Sequence, residues 1–209
     1  MTMFKNYFKI SIRNLKKQRA FTIINVLGLS VGMSIALLAL AMYVELKQFD
    51  TYHPDAENTY RVTTEITYSG DKEKYSSAPP ALTNRMDDEI PSIYQSVHIN
   101  SGFCALIDHD GNNIRTFGYF TEPSFYKIFA FEMESGSPSA LDQPGTVIIT
   151  KELSDKLYGE RQALGQIIQT EEWGQLRVAG VLKSFPKRTH LRFDMLTGFE
   201  TSNRFNANY

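Results

Sequence analysis

The chain has little cysteine and almost no net charge. Cys104 is the only cysteine among 209 residues, so an intrachain disulfide is impossible. Because cysteine is among the residues most often buried, we expect Cys104 to be a small apolar side chain of the core. The formal net charge of −1 does not favour any class of binding partner. The distribution of charge along the chain is more informative about location and partners.

Motifs for catalysis or metal binding are also absent. The sequence contains no HExxH, GxSxG or P-loop pattern, and the four histidines have no zinc-site spacing. The segment 108–112 resembles a calcium loop, but its glycine is fourth and its twelfth residue is Tyr119. Basic residues beyond the N-terminus are mixed with acids, which argues against nucleic-acid binding. The sequence therefore predicts no enzyme, no metal site and no bound cofactor.

Charge is missing from one long segment. Residues 20–44 carry no charged side chain, six basic residues precede them, and the first acidic residue of the chain is Glu45. An apolar segment of this length spans a membrane as a helix. The positive-inside rule places residues 1–19 in the cytoplasm and the residues after the span on the other side of the membrane. We expect this membrane to be the cell inner membrane. Ala39–Ala41 resembles a signal-peptidase site, but the apolar run is too long for a signal peptide.

The N-terminal residues predict a second kind of membrane contact. Apolar residues recur at helical spacing between basic ones, which is typical of a helix lying on the membrane surface. The apolar positions are Phe4, Tyr7, Phe8, Ile12 and Leu15; the basic positions are Lys5, Lys9, Arg13, Lys16, Lys17 and Arg19. We therefore divide the chain into an interfacial helix at 1–19, a membrane helix at 20–46 and an external domain at 47–209.

Small and polar residues within the span predict a partner helix. Gly28 and Gly32 form a GxxxG pair, and Ser30 and Ser34 repeat the spacing of small residues. Asn25 adds an amide whose hydrogen bonds lipid cannot satisfy. Small residues at this spacing let another helix approach closely, so these five positions are predicted to pack against a second membrane helix.

The external part predicts an α+β fold. Alternating β-formers favour hairpins at 60–75 and 97–120, the second turning at 108–111, and a further hairpin at 167–182. Pro80 and Pro123 open short helices, and 147–149 is an apolar strand. Thr150 caps a helix over 151–158 that stops at Gly159.

Several of these segments, in order, resemble the FtsX-like, MacB-type permeases of ABC transporters. The resemblance rests on residues 25–32 of the span, on 45–62 directly after it, and on 119–129, 147–159, 176–186 and 190–193 of the external part. It implies a MacB-like periplasmic core domain. It also implies a permease subunit that couples ATP hydrolysis by a partner to efflux or mechanotransmission.

The resemblance implies partners too: membrane lipid, an ABC ATPase subunit that binds the ATP, and a second permease copy as homodimer or heterodimer. A periplasmic adaptor or an outer-membrane component is a further candidate. Members of the family have three more spans after the domain, whereas the sequence given stops at Tyr209. We therefore expect an N-terminal, truncated piece whose sheet has an open edge and unfilled core positions.

Two other classes of function stay open on the sequence. One is a single-pass, membrane-anchored periplasmic protein that binds a ligand or partner as a sensor or adaptor. The other is a membrane-anchored envelope enzyme, which would need a serine, a histidine and an acid to converge in a cleft.

Overall fold

A computed structural model describes residues 2–109, 111–185 and 189–206 of the chain, without the side chains of residues 2, 4, 84 and 204–206. Contacts divide the chain into two compact units, 1–49 and 50–209. Asp110 of the predicted turn, Pro186 of the family-like segment and residues 207–209 lie outside the described residues.

The first unit consists of two helices. Helix α1 covers Thr2–Lys17 and helix α2 covers Arg19–Lys47, with Gln18 between them in a non-helical conformation (φ −108°, ψ 55°). None of the residues of α2 is buried. At about 1.5 Å per residue, its 29 residues extend roughly 44 Å, more than a hydrocarbon core of ~30 Å requires. It is the one helix of the described chain that is long and apolar enough to cross a membrane.

The second unit begins with a loosely packed segment. After a 3₁₀ turn at Ala56–Asn58, strands β1 (Thr64–Tyr68) and β2 (Asp71–Tyr75) form an antiparallel hairpin, and helix α3 covers Ala81–Glu89. The hairpin turns at Ser69 and Gly70, both with positive φ. No described residue between 54 and 102 is buried.

The remaining strands form one mixed sheet of seven strands. Their order is β5-β8-β6-β9-β4-β3-β7, and β7 also pairs with β8, so six of the strands close a ring. Pairs β4–β9 and β6–β8 are parallel, and the other pairs are antiparallel. The strands are β3 (Asn100–His109), β4 (Asn112–Thr121), β5 (Met133–Gly136), β6 (Thr146–Ile149), β7 (Ile167–Thr170), β8 (Gly174–Leu182) and β9 (Met195–Gly198).

Three helices accompany the sheet: α4 (Ser124–Phe129), α5 (Lys151–Tyr158) and α6 (Phe199–Asn206), with a 3₁₀ turn at Pro138–Asp142. Helix α5 begins where the Thr150 hydroxyl accepts a hydrogen bond from the Leu153 amide, and it ends at Gly159 (φ 62°). Both ends agree with the sequence-based prediction.

Two apolar clusters hold the second unit together. The inner core receives side chains from all six strands of the ring and from α5. The outer core lies on the opposite face and contains residues of α4, β6, β8 and β9 and of the loops around them. Strands β6 and β9 have a residue in each cluster at successive positions, such as Ile148 and Ile149, which explains why both strands are buried throughout.

The α+β class and the three predicted hairpins are confirmed, although the first two begin later than predicted, at Thr64 and Asn100. Strands β5 and β9 and helix α6 were not predicted. Cys104 is exposed, so its predicted burial is wrong. Strand alternation places Phe103 and Ala105 in the inner core and turns the side chain between them outward.

The expected open edge is present in one place. Strand β5 pairs with β8 on one side and, within the described residues, has no strand on its other side. The ring itself closes through β7, which the prediction of an incomplete sheet did not anticipate.

Candidate membrane helix and exit segment

The five predicted packing residues of α2 lie on two different faces. At about 100° per residue, Asn25, Gly28 and Gly32 fall within an arc of roughly 60°. By the same rotation, Ser30 and Ser34 lie about 140° and 180° from Asn25. All five are exposed within the described chain. The structure therefore brings three of the predicted residues together and separates the two serines from them.

The two faces also differ in their polar chemistry. The Ser30 hydroxyl donates to the Val26 carbonyl at 2.7 Å, and the Ser34 hydroxyl donates to the Ser30 carbonyl at 2.8 Å. Both hydroxyls are thus satisfied within their own helix. A Cβ built on Gly28 or Gly32 would meet nothing within 4 Å, so their surface is flat and open. The face of Asn25, Gly28 and Gly32 is the better surface for a second helix.

The predicted basic residues are all exposed and lie at the start of the chain. Five of them, Lys5, Lys9, Arg13, Lys16 and Lys17, share an arc of about 120° on α1. The apolar positions Tyr7, Phe8, Ile12 and Leu15 occupy a different arc, as an interfacial helix requires. Arg19, which the sequence assigned to the same helix, is the first residue of α2.

The segment 50–53, which we call the exit segment, holds the start of the second unit in place. Asp50 has a left-handed backbone (φ 56°), and its carboxylate accepts hydrogen bonds from the backbone amide of His190 at 3.0 Å and from its Nδ1 at 2.5 Å. Burial opposes ionisation of Asp50, but hydrogen bonds from His190 and Thr189 outweigh it and lower the pKa of the carboxyl group.

His53 is the buried member of the exit segment. Its ring is 7% exposed, and its Nδ1 lies 2.9 Å from the Phe129 carbonyl oxygen, which requires the proton on Nδ1. The Nε2 atom faces the Asp50 carboxylate at 3.7 Å. The ring packs edge-on against Phe129 and Phe131, and Tyr52 also contacts Phe131. The exit segment is therefore embedded beside the aromatic residues of the outer core.

Sequence reasoning missed this cluster because His190 is 140 residues from Asp50 and no local pattern links them.

The described residues contain no group of three His, Cys, Asp or Glu side chains placed to hold a metal. A surface groove between β5 and α5 is lined by charged residues, and at least three of these pair with one another: Lys151 lies 3.2 Å from both Glu134 and Asp155. This groove provides no nucleophile with an adjacent base.

The family model described as the MacB-like periplasmic core domain matches residues 22–205. The chain belongs to this family. Its members are components of transporter permeases, and the match begins inside α2, so the apolar helix and the MacB-like domain are matched together. No curated protein matches the chain.

Solved structures with a similar fold include a domain of a permease protein and the extracellular domain of a transporter. A domain of a permease protein from Porphyromonas gingivalis aligns with TM-score 0.57 and 22% identity over 65% of this chain. The extracellular domain of the noncanonical ABC-type transporter YknZ from Gram-positive bacteria aligns with TM-score 0.50 and 16% identity over 68% of this chain and 76% of its own. The MacB-like chain described here spans 60% of the length of the P. gingivalis domain.

Proposed function

We propose that this chain supplies the first membrane span and the MacB-like domain of a permease subunit in an ABC-type efflux or mechanotransmission transporter. The observation that carries the proposal is the family match from residue 22 to residue 205, which covers most of α2 together with the domain. A partner ATPase binds and hydrolyses ATP, and this chain passes the resulting helix movement to the domain.

Two structural features support this role. The flat face of Asn25, Gly28 and Gly32 suits packing against another span of the permease. The exit segment suits transmission, because Asp50 and His53 tie the residues directly after α2 to the outer core.

The proposed orientation places the N-terminus in the cytoplasm and the MacB-like domain in the periplasm, since six basic residues precede the span and no acid does. The single cysteine provides a direct test. Cys104 is exposed on the domain, so a membrane-impermeant maleimide should label it in intact spheroplasts.

The matched control is Lys9→Cys in a Cys104→Ser background, which should be labelled only after the spheroplasts are lysed. Labelling of this introduced thiol in intact spheroplasts, together with protection of Cys104 in the unsubstituted chain, would show that the chain has the opposite orientation.

The coupling proposal is tested by purifying the tagged full chain from its own membranes in mild detergent. We expect an ABC ATPase subunit among the co-purifying proteins, with a further permease copy, and less of both when Gly28 and Gly32 are replaced by leucine. An adaptor or outer-membrane component without any ATPase would instead favour the single-pass sensor or adaptor.

A further inference from the structure

The junction between α1 and α2 has a defined local structure. Gln18 leaves the helical conformation, and side chains of α2 donate hydrogen bonds to backbone carbonyls at the end of α1. Arg19 Nε donates to the Lys16 carbonyl at 3.2 Å, and the Thr22 hydroxyl donates to the Leu15 carbonyl at 3.1 Å. The first of these contacts fixes the Arg19 guanidinium beside the end of α1. The Arg19 side chain is thereby held beside the backbone of Lys16, the last basic residue but one of α1.

A surface groove lies at this junction. It is lined by Ile12, Leu15, Lys16, Arg19, Thr22 and Ile23. Apolar side chains thus come from both helices, and the two cations stand at the same groove. This combination of surfaces fits a molecule with an anionic group and a hydrocarbon chain.

No residue among the first 44 can neutralise these cations, because none of them is acidic. Within the described residues, neither Lys16 nor Arg19 has an acidic partner, and no acidic residue precedes Glu45. Glu45 is 26 residues beyond Arg19 along α2, about 39 Å at 1.5 Å per residue. Both positive charges are therefore available to an anionic group of another molecule.

We infer that one anionic phospholipid binds at the α1–α2 junction, with its phosphate between Lys16 and Arg19 and an acyl chain along Ile12, Leu15 and Ile23. The inference rests on the proposed function only in placing α2 in a membrane, so that Arg19 lies at the level of the headgroups. It differs from general attraction of a basic helix to an anionic surface, because it assigns one lipid to one pair of residues.

The test uses the full chain in a neutral detergent, where no charged membrane surface is present. Single-lipid adducts are measured by native mass spectrometry with dioleoyl phosphatidylglycerol, dioleoyl phosphatidylcholine and inorganic phosphate as probes. We expect one phosphatidylglycerol to bind roughly 30-fold more tightly than phosphatidylcholine, the effect of about two basic contacts. Inorganic phosphate at equal concentration should leave this adduct in place.

Two matched double variants locate the site. Lys16→Gln/Arg19→Gln should weaken the phosphatidylglycerol adduct roughly 30-fold, whereas Lys5→Gln/Lys9→Gln, which removes the same amount of charge from α1 away from the junction, should change it by less than about 3-fold. Helix content measured by circular dichroism checks that both variants fold.

Equal losses in the two variants, or equal binding of phosphatidylcholine, would overturn the site. Displacement by inorganic phosphate would overturn the assignment to a lipid. None of these readouts depends on orientation or on an ATPase, so the lipid site and the proposed function can fail separately.

Discussion

Asp50 combines an unusual backbone with a stabilised charge. Asparagine and aspartate are the non-glycine residues that best tolerate the left-handed region, so the residue type fits the φ of 56°. Its carboxylate gains two contacts with His190 that are present only in the folded chain. Since the folded state lowers the pKa of Asp50, this contribution to stability is complete above the unfolded pKa of about 4 and is lost as the pH falls through the folded pKa.

We predict that Asp50→Asn lowers the free energy of unfolding at pH 7 by about 1 kcal/mol, because the amide keeps one acceptor but loses the charge. The variant should also lose less stability than the wild type between pH 7 and pH 3. Urea unfolding of the full chain in detergent, followed by the fluorescence of Trp173, measures both. Identical pH dependence of the two proteins would contradict the role of Asp50.

Tyr126 carries a buried polar group that lacks, in the described part of the chain, the hydrogen bonds that Asp50 has. Its ring is buried in the outer core, and its hydroxyl has no hydrogen-bond partner within the described residues. Burial raises the pKa of this hydroxyl, so it stays neutral. Because an unpaired buried hydroxyl is costly, we predict that Tyr126→Phe raises the free energy of unfolding by about 1 kcal/mol.

The control is Phe125→Leu at the neighbouring buried position, which removes ring contacts and should destabilise the domain by more than ~1 kcal/mol. Urea unfolding of the full chain in detergent compares the two variants with the wild type. A loss of stability in Tyr126→Phe would show that the hydroxyl has a partner, such as a bound water.

At the scale of elements, the turn between β7 and β8 protects the outer edge of β3. Only one residue pair, Ile107–Thr170, joins β3 to β7 in the described part of the sheet. The turn adds three hydrogen bonds to the same edge: the Leu106 amide donates to Glu172 Oε2 at 2.8 Å, the Glu171 amide to the Leu106 carbonyl at 3.2 Å, and Trp173 Nε1 to the Cys104 carbonyl at 2.8 Å. A strand edge left unpaired would favour association with other chains.

We predict that Trp173→Phe costs about 1 kcal/mol of unfolding free energy, because it removes the donor to Cys104 while an aromatic ring still contacts Phe103 and Phe120. Far-ultraviolet circular dichroism during urea unfolding measures the change. Glu172→Gln keeps an acceptor for the Leu106 amide and should stay within a few tenths of a kcal/mol of the wild type. A Trp173→Phe variant as stable as the wild type would mean that the turn acts only through packing.

Local signals account for the elements that could be predicted. Thr150 and Gly159 are a cap and a stop with direct physical causes, and the hairpins combine alternation with turn residues. Strands β5 and β9 are four residues long and are defined by partners far away in sequence, as in Gly118–Met195. Cys104 shows a different error: the alternation of Phe103, Ala105 and Ile107 predicts its exposure, and the average preference of cysteine does not.

At the scale of the whole molecule, α2 is the predicted surface for contact with other helices. The sequence identified its five small and polar residues, but only the helical rotation separates them into two faces. We propose that the predicted contact with a second permease copy uses the face of Asn25, Gly28 and Gly32.

We predict that Gly28→Leu/Gly32→Leu weakens self-association of the full chain in a membrane two-hybrid assay by at least ~10-fold, because leucine keeps the backbones apart. Ser30→Leu/Ser34→Leu, on the opposite face, should leave the signal within about 2-fold by the same reasoning. Equal effects of the two variants would remove the assignment of the contact to the glycine face.

The exit segment has a mechanical consequence for the segment 54–102. The chain is fixed to the outer core at His53 and packs against it again at Val97 and Ile99, so residues 54–96 of this segment form a loop whose two ends are both fastened. A pull applied at Asp50 would reach the domain through the contacts of Asp50 with His190 and of His53 with Phe129, and would leave the loop slack. Changes in the length of the β1–β2 hairpin should therefore leave the stiffness of this path unaltered, whereas loss of the His53 ring should soften it and leave the Asp50–His190 contact to carry the load.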